Sequence, residues 1–181
     1  MTTPMAGPDR FRDREIVFAN GASGTTIDIP SASPVNYRQV IAAPADMPRV
    51  TIDGKLFLPP AAARGPAARL PLVIVVPGSL GVAPSHVAHA ETLTGAGIAA
   101  FVLDGFGARG VASTVANQTQ FSFAASAYDV LAAWSVLFNF FAQMNNRRLK
   151  PALMANSQYA IVLNATLYGR SEEHTSELQS H

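Results

Sequence analysis

The chain has 181 residues, 13 basic against 12 acidic side chains and no cysteine. That length fits one domain, and 49% apolar residues against 14% charged ones give it a core to bury. A formal charge of +1 argues against a nucleic-acid footprint, and the lack of Cys excludes disulfides, thiolate metal sites and a Cys nucleophile.

The opening MTTPMAGPDRFRDRE has no apolar stretch, so no secretory leader is expected. Residues 15–19 predict a short strand. Residues 20–48, rich in Gly, Ser, Pro and Ala, read as loop with a helix over 35–42. Residues 50–58 alternate apolar and polar around Asp53-Gly54, a turn dipeptide, and read as a strand or a hairpin. After a Pro/Ala-rich loop, the unbroken β-branched run at 70–76 is a central parallel strand covered on both faces. A Gly-containing loop at 78–84 leads to a helix over 85–94, capped by Ser85 and ended near Gly95 and Gly97.

Residues 98–103 make a second buried strand and 104–120 a Gly-rich polar loop. The apolar stretch 121–144 contains Asp129, Ser135 and Asn139, and its large residues recur near helical spacing. It reads as a helix packed on a sheet rather than a membrane span. Residues 149–154 are a third apolar strand, and 158–168 open a helix. Strands alternating with helices predict an α/β fold with a mostly parallel sheet, flanking helices and right-handed crossovers. The division expected is an N-terminal extension over 1–49 with a short strand and loop, a core over 50–169 and a tail over 170–181. That tail, RSEEHTSELQSH, has no apolar period and resembles the translation of a sequencing-adapter oligonucleotide, so it is set aside as non-native. A soluble cytoplasmic protein is the expectation.

In such sheets ligands bind beyond the carboxyl ends of the strands. Three strand ends therefore matter. MANSQYA places Ser157 between an apolar strand and a helix, where a nucleophile elbow exposes its hydroxyl. Taken alone, a Ser there reads first as a helix N-cap. VVPGSLG is a loop able to aim backbone N–H groups at a developing oxyanion, or a plain turn. His86 and His89 follow it without a third ligand and read as packing or solvated histidines. DGFGARG matches G-x-G-x-x-G over Gly105–Gly110, with Asp129 downstream. A polar loop follows it and Asp129 falls inside a helix, so dinucleotide binding is the weaker reading. Asp104 reads as a carboxylate that fixes its own loop.

Taken together, GKLFLPP, VVPGSLG, GIAAFVLDGFGARGV, AYDVLAAWSVL and RLKPALMANS resemble the N-terminal portion of a dienelactone-hydrolase-like α/β-hydrolase, over about residues 50–169. The resemblance implies a hydrolase of the esterase class, cleaving an ester or lactone of a small carbonyl substrate through an acyl-enzyme. Ser157 is the nucleophile, the backbone N–H groups of Ser79 and Gln158 hold the oxyanion, and Gly78, Asp104, Phe106 and Arg109 shape the pocket. It implies no cofactor and no metal, and no nucleic-acid or membrane partner. The chain departs from the family pattern at Pro77, where a His is customary, and at Ala155 and Tyr159, where elbow glycines are. The acid and His follow the serine in this fold, yet 158–169 contain no Asp, Glu or His. The expectation is therefore a truncated, catalytically incomplete fragment whose exposed sheet edge favours self-association. The alternatives are a non-catalytic binding protein of the same fold and, behind it, a nucleotide-binding protein.

Overall fold

The computed structural model describes residues 10–60, 70–144 and 160–164. Five strands, β1 (Gly24–Ala32), β2 (Arg49–Phe57), β3 (Leu72–Val76), β4 (Ala99–Asp104) and β5 (Ala160–Asn164), form one sheet in the order β1-β2-β4-β3-β5. The helices are α1 (Tyr37–Ala42), α2 (Pro84–Gly95) and α3 (Phe123–Met144).

The α/β class holds, but the sheet is mixed rather than mostly parallel. β1 pairs with β2 antiparallel over nine residues, from Gly24↔Phe57 to Ala32↔Arg49, and β2 pairs with β4 antiparallel. Only β4 and β5, which flank β3, run parallel to it. The reason lies in two misread segments. Residues 24–32 were expected as loop. Their Thr25, Thr26, Ile27 and Ile29 instead form an edge strand, the position in a sheet that tolerates Pro30. The Asp53-Gly54 dipeptide makes no turn and lies inside the continuous strand β2. Gly54 is there for space: a Cβ would stand 2.5 Å from the Val102 carbonyl oxygen, against the Phe101 ring.

The other differences are local. The strand expected at 15–19 is a single bridge, Val17 to Ser23. α2 begins at Pro84 with Ala83 at the N-cap, not at Ser85. The side chain of His86 reaches back so that its Nδ1 accepts the Ala83 N–H at 3.0 Å. Residues 160–164, expected within a helix, are strand. AIVLN is a short β-branched run that fits beside β3, with Val73 opposite Ile161 and Val75 opposite Leu163. The strand expected at 149–154 lies outside the described residues.

Two cores cover the two faces of the sheet. On one, Ile29, Ile52, Leu56, Ile74, Phe101 and Leu103 meet Ala133 and Leu137 of α3. On the other, Phe57, Val73, Val75, Ala100 and Val102 meet Ala90 of α2, with Phe11 and Phe18 of the N-terminal segment. Alternation along β3 and β4 sends neighbouring residues to opposite cores. α3 is long and apolar enough over Phe123–Phe140 to cross a membrane, yet its stripe Ala125, Asp129, Ala133 and Leu137 is buried in this domain.

Candidate functional site

β3 leads into α2 on one face and β4 leads into α3 on the other, although the two strands lie side by side and parallel. The loops leaving their carboxyl ends therefore diverge. That divergence opens a crevice, and it is where open α/β sheets bind ligands. A small cleft of about 20 Å³ lies there, lined by Val76, Pro77 and Gly81 from the β3 side, by Leu103, Asp104, Gly105 and Phe106 from the β4 side, and by Phe121, Ser126 and Asp129 from α3 and its approach.

Gly78–Gly81 is a tight turn, closed by the Gly81 N–H donating to the Gly78 carbonyl at 3.0 Å. Gly81 takes a left-handed φ of +67°, and its α-carbon faces the Phe106 ring. The turn is pinned from outside by the Thr114 N–H, which donates to the Ser79 carbonyl at 2.8 Å.

Asp104 fixes the opposite loop, as expected. Its Oδ1 accepts the Phe106 N–H at 3.0 Å and the Gly107 N–H at 2.9 Å. Across the ladder it stands opposite Asp53, which is fully buried. Arg10 reaches the Asp53 Oδ2 at 2.7 Å and Arg12 reaches it at 3.4 Å. Burial first, and Asp104 second, push the Asp53 carboxyl above its ordinary range, against the pull of the two arginines.

Behind the cleft wall is a buried clasp. Arg109 donates from Nη1 to the Asp129 Oδ2 at 2.7 Å and from Nη2 to its Oδ1 at 2.9 Å. It also donates to the carbonyls of Gly105 and Ala32 at 2.6 and 2.8 Å, and from Nε to the Ser33 hydroxyl at 2.9 Å. The Ser31 hydroxyl donates to the Asp129 Oδ1 at 2.5 Å. All five guanidinium N–H groups thus have acceptors, and the Phe121 ring stacks 5.0 Å away. Burial pushes the Asp129 carboxyl upward, while Arg109 and Ser31 pull it back. Gly105 has no room for a side chain, since a Cβ would sit 2.7 Å from the Asp129 Oδ2.

These contacts explain the G-x-G-x-x-G letters. Its middle turns into a short 3-10 segment, Gly107–Arg109, and the downstream Asp129 holds Arg109 rather than facing outward. Of the residues singled out from sequence, Asp104 and Phe106 line the cleft, Gly78 and Ser79 lie in the turn beside it, and Arg109 supports it from behind. Ser157 and Gln158 lie outside the described residues; β5 begins after them in the chain. His86 is buried as a helix cap, where burial lowers its pKa, and is not among the residues lining the cleft.

Sequence reasoning missed Phe121, Ser126 and Asp129 as cleft residues, and Ser31 and Ser33 as their supports. A buried Asp on an apolar helix stripe was the available clue, because such a charge needs a partner. Compared with models of protein families, with curated proteins and with solved structures, the chain finds no match in any of the three.

Proposed function

We propose that the chain carries the substrate cleft and oxyanion loop of a cytoplasmic serine hydrolase acting on esters or lactones of small carbonyl compounds. The observation that carries this reading is the cleft at the carboxyl ends of β3 and β4, bordered by the Gly78–Gly81 turn. In α/β-hydrolases one oxyanion donor comes from the loop between the third strand and the helix that follows it. Here that loop holds Ser79, whose N–H has no acceptor among the described residues. β5 lies parallel beside β3 and begins at Ala160, after Ser157, so the residue it brings to this rim is Asn164, opposite Val76, and Ser157 enters this reading through the family resemblance alone. In the proposed reaction the Ser157 hydroxyl attacks the substrate carbonyl, and the N–H groups of Ser79 and Gln158 hold the oxyanion. The acyl-enzyme then forms with loss of the alcohol, and water resolves it.

Ser157 needs a base, and this fold supplies acid and His after the serine. The reading therefore places both in a continuation of the coding frame past codon 169. Sequencing that DNA tests it: a frame running on to an Asp and then a His supports the proposal, and a natural stop there overturns it. The 181-residue chain itself is expected to hydrolyse p-nitrophenyl acetate no faster than its Ser157→Ala variant, whereas the continued chain is expected to label with a fluorophosphonate at Ser157.

A second reading, a non-catalytic binding protein on the same fold, draws on one observation. Both carboxylates lining the cleft are already engaged, Asp104 by its own loop and Asp129 by Arg109. An unlabelled Ser157 in the continued chain favours it.

A further inference from the structure

We infer that the N-terminal strap, residues 10–14, is a clamp on the cleft and that Arg10 is its positioning residue, standing between two buried carboxylates so that Asp104 can hold the Phe106 wall. The inference concerns how the cleft keeps its shape and does not depend on what the cleft binds. Asp53 and Asp104 lie directly opposite each other on β2 and β4, and both are buried. Like charges at opposed positions of an antiparallel pair repel, the more so away from water. Asp104 is also the anchor of its loop. Its Oδ1 accepts the Phe106 and Gly107 N–H groups, and these two bonds fix the turn that carries Phe106 into the cleft wall. An ionised carboxylate accepts such bonds more strongly than a neutral carboxyl. The wall therefore depends on Asp104 keeping its charge opposite Asp53.

The strap brings the compensating charge to that spot. Phe11 is buried in the core on the sheet face that carries Phe57 and Val102. The Arg12 carbonyl accepts from the Lys55 Nζ at 2.9 Å and from the Thr26 hydroxyl at 3.1 Å, so β1 and β2 both hold the strap on its course. That course delivers Arg10, whose Nη2 donates to the Asp53 Oδ2 at 2.7 Å. The Arg10 Nε faces the other carboxylate. It and the Asp104 Oδ2 both stand within 3.3 Å of one point, the place that a Cβ on Gly107 would take. This Nε is buried and has no acceptor among the described residues, so it acts on Asp104 through its charge. One guanidinium thus serves both carboxylates, by a hydrogen bond at Asp53 and by its field at Asp104. Arg12, 3.4 Å from the same Asp53 oxygen, reinforces the first of these.

Amide hydrogen exchange of the full chain at neutral pH tests this, read at Phe106 and Gly107 and, as the control for global unfolding, along β3. Arg10→Gln is expected to speed exchange at Phe106 and Gly107 by about tenfold or more relative to β3, because the loop anchor then faces an uncompensated buried charge. Adding Asp53→Asn to Arg10→Gln removes the opposing charge and is expected to return exchange at both amides to near the wild-type rate. Unchanged exchange at the two amides in Arg10→Gln, or a change no larger than that along β3, overturns the inference. A double variant as fast as Arg10→Gln also overturns it, since Arg10 then acts by packing alone. Where Arg10→Gln fails to fold, the double variant decides: exchange near the wild-type rate at Phe106 and Gly107 supports the inference, and faster exchange there relative to β3 overturns it.

Discussion

Arg109 shows why a buried cation is specified down to its geometry. Its fork reaches Asp129 in a bidentate pair, while Nε and the remaining N–H groups hold β1 and the Gly105 loop. An ammonium has three donors and no plane, so Lys at this position leaves acceptors stranded. Arg109→Met is expected to cost about 3–5 kcal/mol, because Asp129 is left charged and buried, and Arg109→Lys to recover only part of it. Urea unfolding of the three proteins checks both. His86 gives a pH test at the same scale. Its folded pKa is lowered from 6.5 because burial disfavours the charged ring, and its Nδ1 must stay unprotonated to accept from Ala83. The stability it contributes is therefore complete above pH 6.5 and is lost as pH falls through the depressed folded value. The advantage of wild type over His86→Phe is expected to shrink on acidification in denaturant midpoints. Asp53 has the opposite slope. Its folded pKa is raised, so its contribution is greatest below 3.8 and is lost as pH rises through the folded value.

Individual elements were legible where burial was uniform or periodicity long. β3 and β4 are short apolar runs covered on both faces, and α3 is a long helix with a buried stripe. All three were readable from 70–76, 98–103 and 121–144. β1 was not, because its burial alternates weakly and its Gly, Ser and Pro content mimics loop; only pairing with β2 makes it strand. β5 was read as helix because a run as short as AIVLN carries no period that separates the two. Asp53-Gly54 misled for a different reason: Gly serves turns and close backbone approach alike. Gly54→Ala tests the close approach. In the middle of β2, against Phe101 and Val102, it is expected to destabilise by about 1–3 kcal/mol in thermal or chemical melts. In the candidate site, Asp104 could be read from sequence as a loop anchor, since an Asp before glycines caps its own turn. The clasp could not, since its partners stand up to 98 residues apart.

At the scale of the molecule, β1 and β5 are the two edges of the described sheet. An edge strand offers unpaired backbone groups to another chain. β5 is apolar from Ala160 to Leu163 and carries no charged residue to discourage such pairing. Concentration-dependent association is therefore expected in size-exclusion chromatography with light scattering, and a monomer at every concentration would contradict it. The clasp has a consequence for the order in which the domain can be completed during synthesis. Ser31 leaves the ribosome 98 residues before Asp129, a delay of roughly 5–20 s at ordinary translation rates. Through that interval the nascent hairpin of β1 and β2 can assemble, but Arg109, once made, has no counter-charge until the long helix emerges. The final docking of that helix therefore closes the charge pair and seals the cleft wall in one event, so a ribosome stalled before residue 129 would hold a sheet whose cleft still lacks that wall.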